Sequence, residues 1–363
     1  MHVPFLDLSA ATAELRADLD QAMARVLDSG WYILGAEVER FERAFASYTE
    51  AQHCVGVANG LDALRLGLMA LGIGRGDEVL VPSNTYIATW LAVSEVGATP
   101  IPVEPDPHTH NLDPNRLYAA LTPRTRCVLP VHLYGQPADL DPILAFARAH
   151  DLYVLEDAAQ SQGASYRNKK IGAHGHLVAW SFYPGKNLGA LGDAGAVTTD
   201  DPDLADKVRV LGNYGSRKKY VNEVRGLNSR LDPLQAAVLS VKLAHLDAWN
   251  ARRKRIATRY LEALVHTDLV LPAVADGCDP VWHLFVVRTK HREALIARLL
   301  ENQIHTLIHY PIPPHLQAAY RDLGLAQGTL PIAERFADEV LSLPIGPHLT
   351  DDQLDHVLAT LSR

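Results

Sequence analysis

The 363-residue sequence predicts an α/β fold: a mostly parallel, mixed sheet with helices on both faces, joined to a smaller C-terminal α+β domain. Three observations predict it. Between residues 50 and 200, short apolar runs alternate with helix-period stretches, the order of successive βαβ units. Those runs are apolar throughout rather than alternating in polarity, as strands are when both sheet faces are covered. Beyond residue 233 the alternation loosens and a long helical stretch takes over. The length allows two domains, and we read 1–240 as a large domain and 241–363 as a small one.

Taken in order, the N-terminal segment is expected to form a helix packed on one of the domains. His53 to Ala58, Glu78 to Val81, Thr99 to Val103 and Cys127 to Val131 read as strands, as do Leu152 to Leu155, Leu177 to Phe182 and Ala194 to Thr198. Leu61 to Leu71 and Leu140 to Ala149 carry helical periodicity. Leu234 to Leu264 reads as one long or broken helix, followed by a strand near Trp282 to Arg288 and a helix near Arg292 to Asn302. No internal repeat or low-complexity tract interrupts the chain.

Composition excludes several classes. With 48% apolar and 21% charged residues the chain is neither disordered nor fibrous. Its net charge of -8 gives no bulk attraction for nucleic acid or anionic lipid, so any basic site must be local. The three cysteines, Cys54, Cys127 and Cys278, are far apart and form no CxxC pair, which suits a reducing cytoplasm. Met1 to Asp7 lacks a basic region followed by an apolar stretch, and no run is long enough to cross a bilayer. A soluble cytoplasmic protein with no nucleic-acid or membrane partner is expected.

The densest stretch is Ser181-Phe-Tyr-Pro-Gly-Lys-Asn-Leu-Gly189, directly after a strand. Loops beyond the carboxyl ends of parallel strands are where open α/β sheets place their ligands. The stretch fails as a P-loop, because Trp180 stands where the first glycine is needed and Asn187 follows Lys186. Lys186 alone would read as a surface lysine. Two further loops change that. Leu152 to Asp157 is an apolar strand ending in acids, where Asp157 can protonate a heterocyclic nitrogen or simply cap the next helix. Asn59-Gly60-Leu61 turns from a strand into a helix, whose N-terminal amides can bind phosphate. A lysine for a Schiff base, a carboxylate for a ring nitrogen and a helix N-terminus for a phosphate are together what pyridoxal 5'-phosphate (PLP) requires.

Six blocks then carry a resemblance: Asn59 to Leu64, Pro82 to Thr89, Val131 to Gln136, Glu156 to Gln160, Ser181 to Gly189 and Asn228 to Ala236. The chain resembles the DegT/DnrJ/EryC1/StrS sugar aminotransferases, which implies the fold-type I PLP-dependent transferase architecture. The resemblance implies that Lys186 is the Schiff-base lysine and that Asp157 partners the pyridine nitrogen. It places Gln160 near the ring hydroxyl, Ser181, Gly60 and Leu61 at the phosphate, and Tyr86 over the ring face. It also implies that Asn228 reaches the phosphate from a neighbouring subunit, hence a homodimer with shared sites. One departure is Leu61, where many members have a threonine; backbone amides must serve that corner. Related dehydratases carry histidine in place of the lysine, so the intact Lys186 points to transamination.

The turn 59–64 and the segments Asn213 to Tyr220 and Ile308 to Gln317 are similar to enzymes acting on dTDP-3-keto-6-deoxyhexoses. Amino transfer from L-glutamate to C3 of such a sugar is the expected reaction, with pyridoxamine 5'-phosphate as the half-reaction form. Transfer to C4 and a non-catalytic PLP-binding regulator are the alternatives. A diphosphate needs a local cationic patch, and Arg217, Lys218 and Lys219 beside Tyr214 and Tyr220 offer one. The same residues also read as an exposed charged loop. Arg230 is a further candidate cation, with a structural ion pair as its alternative; Tyr183 and His309 are expected to face the sugar, and His309 reads equally as a structural residue. Arg252 to Arg255 reads as a solvated helix face. Gly72, Gly74 and Gly76 follow a helix and precede a strand, the wrong order for a dinucleotide turn. His174 and His176 lack a third ligand, so no metal is expected.

Overall fold

The structure, a computed structural model, describes residues 1–362. Seven strands form the central sheet: β1 (His53–Val57), β2 (Glu78–Pro82), β3 (Thr99–Val103), β4 (Thr125–Val128), β5 (Tyr153–Asp157), β6 (Leu177–Ser181) and β7 (Gly195–Thr199). Their spatial order is β1-β7-β6-β5-β4-β2-β3. Strands β3, β2, β4, β5 and β6 are mutually parallel, and β7 runs antiparallel to both β6 and β1. The sheet is thus mostly parallel and mixed, and the loops after β1, β2, β4, β5 and β6 all leave from one edge. That edge is where ligands of such sheets bind.

Both faces are covered, as the unbroken apolar strands require. On one side the Gly60–Ala70 helix buries Leu64, Leu66 and Leu68 with Val79, Leu155, Leu177 and Val197. On the other, Phe41, Phe45, Trp180, Phe182 and Leu239 form a second cluster. The N-terminal segment makes two helices, Leu8–Glu14 and Arg16–Ser29. Leu15, Leu19, Ala22 and Val26 pack on Ala237, Val238 and Trp249.

The Leu234–Leu264 stretch is broken into helices Pro233–Leu243 and Leu246–Leu264. The second of these straddles two cores: Leu246 lies with the cluster under the sheet, whereas Ile256, Tyr260 and Leu264 enter a separate cluster. That cluster gathers Phe285, Leu299, Leu341 and Val357 around a two-stranded antiparallel sheet, β8 (Phe285–Arg288) with β9 (Val340–Leu343). Val3 joins it and bridges Ile304, so the chain start is tied to the C-terminal elements.

Two strand limits differ from expectation for local reasons. β4 ends at Val128 rather than Val131, ahead of Pro130, which has no N–H for a ladder. β8 starts at Phe285 rather than Trp282, because Trp282 adopts a left-handed backbone (φ 49°) that a strand cannot hold. No helix among the described residues is long and apolar enough to cross a membrane.

Phe45 is fully buried with ring centroids 5.1 Å from Trp180 and from Phe182, edge to face, so it supports the strand that ends at Ser181. Phe45→Ala should destabilise the fold by about 3–5 kcal/mol, read from the urea midpoint, with Phe45→Leu costing distinctly less.

Candidate active site

After β6 the chain turns sharply, with Lys186 N–H donating to Tyr183 O (2.8 Å) and Ala190 N–H to Phe182 O (2.8 Å). The turn is pinned from outside: Lys242 Nζ donates to Gly189 O (2.7 Å), and Asn187 Nδ2 donates to Asn250 Oδ1 and Val281 O, each at 2.9 Å. With both amide hydrogens of Asn187 engaged, its Oδ1 must accept, so the proton between it and His283 (3.2 Å) sits on His283 Nδ1. Lys186 therefore stands on a rigid turn. Burial of its amine pulls the ammonium down to about 8, against the attraction of Asp157. The charge of Lys186 is felt in turn by His283 and His309: burial first, and then that ammonium, hold His283 well below the usual imidazole range and His309 at about 4.

Asp157 closes β5 and is buried. Its Oδ2 accepts from Thr89 Oγ1 (2.9 Å) and its Oδ1 from Ala159 N–H (3.1 Å). Burial raises its pKa, opposed by those two hydrogen bonds and by Lys186. Three residues on, Gln160 Oε1 accepts from Tyr134 N–H (2.6 Å) and its Nε2 donates to Tyr310 Oη (3.1 Å). The Tyr310 ring lies 5.2 Å from that of Tyr86, inclined by 36°. Tyr134 Oη in turn donates to the carbonyl of His309, and His309 Nδ1 meets Ser342 Oγ at 2.8 Å.

The third corner is a close approach. A Cβ placed on Gly60 would stand 2.5 Å from Ser181 Cβ, so only glycine lets the helix N-terminus reach the end of β6. Asn59 caps that helix by accepting from Asp62 N–H (2.8 Å), while the first-turn amides of Gly60 and Leu61 have no intrahelical acceptor. Ser181 Oγ accepts weakly from Tyr183 N–H (3.4 Å) and donates to no group among the described residues. An amine of lowered basicity, a buried carboxylate beside it and a cradle of free amides with a hydroxyl fit the aldehyde, ring nitrogen and phosphate of PLP.

The structure brings together Lys186, Asp157, Gln160, Gly60, Leu61, Ser181 and, through Tyr310, Tyr86 and His309. Tyr183 is exposed on the same turn as Lys186. Asn228 lines a cleft beside the phosphate corner with Asn59, Asp193 and Arg230. Arg230 Nη1 donates to Asn213 Oδ1 (3.0 Å), and its guanidinium sits 5.4 Å from the Tyr214 ring centre. The expected three-cation loop looks different from its sequence. Arg217 is held between Asp206 and Glu223, so it is not a free cation. Lys219 lies 5.2 Å from the ring centre of Tyr220, which is 88% exposed, and the backbone of Lys218 bridges Val221.

Three neighbours of the site escaped the sequence reading. Thr89 had a signal, standing in the same block as Tyr86. Tyr310 lay in a Pro-rich segment read only as a subgroup mark. His283 had none, since nothing local connects it to Asn187.

Residues 13–362 match the DegT/DnrJ/EryC1/StrS aminotransferase family. The chain is 59% identical over 362 residues to the erythromycin biosynthesis sensory transduction protein EryC1 of Saccharopolyspora erythraea, covering 99% of each chain. It is 57% identical to a dTDP-3-amino-3,4,6-trideoxy-alpha-D-glucose transaminase of Streptomyces venezuelae (98% of this chain, 94% of the relative). It is 53% identical to a dTDP-3-amino-3,6-dideoxy-alpha-D-galactopyranose transaminase of Aneurinibacillus thermoaerophilus (99% of each). Among solved structures, S. venezuelae DesV in complex with a ketimine intermediate superposes with a TM-score of 0.98 at 57% identity, over 99% of this chain and 98% of that one.

In the chain without added cofactor, acylation of Lys186 should rise with a pH midpoint near 8, below the ~10.4 of ordinary lysines. Removing the carboxylate that favours the ammonium, in Asp157→Asn, should move that midpoint lower. Peptide mapping across a pH series reads both, and a Lys186 midpoint at the ordinary value would contradict the buried placement.

Proposed function

The chain belongs to the DegT/DnrJ/EryC1/StrS aminotransferase family, and from that premise we propose that it transfers an amino group from L-glutamate to C3 of a dTDP-linked 3-keto-6-deoxyhexose. The product is a dTDP-3-amino-3,6-dideoxyhexose. The observation that carries this reading is the enclosed Lys186 amine opposite the buried Asp157 carboxylate, in a chain more than half identical to two transaminases named for dTDP-3-amino sugars. When bound, PLP supplies an electron sink and stores the amino group as pyridoxamine phosphate between the two halves of the reaction.

The chain's residues divide the remaining work. Lys186 anchors the cofactor and, once its amine is free, moves a proton between carbon atoms; a pKa near 8 leaves part of it neutral at physiological pH. Asp157 holds a proton on the ring nitrogen, and Gln160 orients the ring edge. The amides of Gly60 and Leu61 with Ser181 Oγ hold the phosphate. Tyr86 covers the ring face. His309, kept neutral by burial, donates or accepts hydrogen bonds on the sugar side without adding charge, and Tyr183 flanks it. Arg230 over Tyr214 supplies a cation and an aromatic surface for a nucleoside diphosphate, joined by Lys218 and Lys219. Asn228 serves the phosphate of a neighbouring subunit, which makes the working unit a homodimer acting in the cytoplasm.

The test is to incubate the PLP-loaded protein with glutamate and with dTDP-3-keto-6-deoxyhexoses of both C4 configurations, alongside a dTDP-4-keto sugar, and to solve the product by NMR. An amine at C3 is expected. An amine at C4 overturns the regiochemistry, and loss of neither glutamate nor cofactor absorbance overturns the enzyme reading in favour of a regulator. Lys186→Ala should lower turnover by at least ~100-fold.

A further inference from the structure

Asp157 is held by a chain of hydroxyls whose direction can be worked out. The ionised carboxylate only accepts, so Thr89 Oγ1, 2.9 Å from Oδ2, must donate to it. Its one hydrogen is then engaged, and Thr85 Oγ1, 3.0 Å from Thr89 Oγ1, must be the donor of that second bond. Both threonines are at most 2% exposed, so water does not compete for these positions. On the other oxygen, Ala159 N–H donates to Oδ1 at 3.1 Å. Each carboxylate oxygen thus receives one bond from the chain and keeps lone-pair capacity for a further donor.

Helix stability does not call for this arrangement. A threonine inside a helix ordinarily bonds back to the carbonyl four residues earlier. Thr89, in the Ile87–Glu95 helix, instead reaches a carboxylate 68 residues further along the chain. Thr85 precedes this helix and its hydroxyl meets that of Thr89, while Tyr86 between them is exposed and meets Tyr310. One turn of chain after β2 therefore presents an aromatic ring outward and two hydroxyls inward. The other titratable groups around Asp157 are Lys186, His132 and Tyr310. His132 Nδ1 accepts from Ala138 N–H (3.0 Å), so its Nε2 proton is directed to Glu156 Oε2 (3.0 Å) and not to Asp157.

We infer that Thr89, backed by Thr85, is the positioning residue for Asp157: a one-way hydroxyl relay that keeps Oδ2 an acceptor and fixes the plane of the carboxylate toward a protonated ring nitrogen. This rests on the role given to Asp157 above.

The test is the affinity of the full-length protein for PLP, measured by equilibrium dialysis from pH 5 to 9 on wild type, Thr89→Val, Thr89→Ser and Thr85→Val. Wild type that fails to bind PLP defeats the reading of the site itself, and the inference with it. Given wild-type binding, Thr89→Val should weaken PLP about 10-fold or more, the scale of a hydrogen bond to a charged group. The sign of the pH effect follows from the carboxylate. Losing a bond that lowers its pKa raises that pKa, so the acid-side loss of affinity begins at higher pH. Thr89→Ser should restore both quantities, and Thr85→Val should shift the acid limb the same way by less. Unchanged affinity and acid limb in Thr89→Val overturn the relay. So does a loss that is equal at every pH and not rescued by serine, which is a packing effect. If circular dichroism shows Thr89→Val unfolded, an acid limb in Thr85→Val superimposable on wild type overturns it.

Discussion

The structure depends on bringing a part-buried amine and a buried carboxylate together at one edge of a sheet. Burial disfavours both charges, drawing Lys186 down to about 8 and raising Asp157, while their mutual attraction opposes each shift. Neither side chain tolerates such a place unless rigid polar groups surround it. Hence the density of fixed contacts nearby: the Asn187 amide with its three partners, the Lys242 bond to Gly189 O, and the threonine hydroxyls on Asp157. Burial also keeps His283 and His309 neutral, so polar neighbours of Lys186 add no further cation to the pocket.

Sheet order makes that meeting possible. β5 and β6 are parallel neighbours, so Asp157 and the turn bearing Lys186 leave the same edge side by side. β1 and β6 are separated by one antiparallel strand and so point the same way, which lets Gly60 come up against Ser181.

The fold was largely legible because its signals are local. Apolar runs such as Leu177 to Trp180 identify strands covered on both faces, and their alternation with helices implies parallel pairing. Of the site, the pieces sitting at strand ends in recognisable blocks, Lys186, Asp157 and Gly60, could be read. What could not be read depends on contacts across the chain. His283 meets Asn187 across 96 residues of chain, directly after the left-handed Trp282. Arg217 looks like a free cation beside two lysines until Asp206, from the preceding helix, and Glu223 close around it.

That last pair changes where the charge of a nucleoside diphosphate must be met. A chain of net charge -8 gives an anion no help from its bulk, and Arg217, a group suited to bidentate phosphate contact, already has Asp206 and Glu223 as partners. Arg230 differs in kind. Its recorded partners are the neutral amide of Asn213 and the face of Tyr214, so its positive charge is oriented without being neutralised. It also lines a cleft with Asn59, the residue before the glycine of the phosphate corner. Asp193 and Asp232 line that cleft too, opposing any anion that is not drawn in by a well-placed guanidinium. On the proposed reading, a diphosphate in that cleft would meet one oriented arginine among acids, which is a stricter requirement than a basic loop alone would impose.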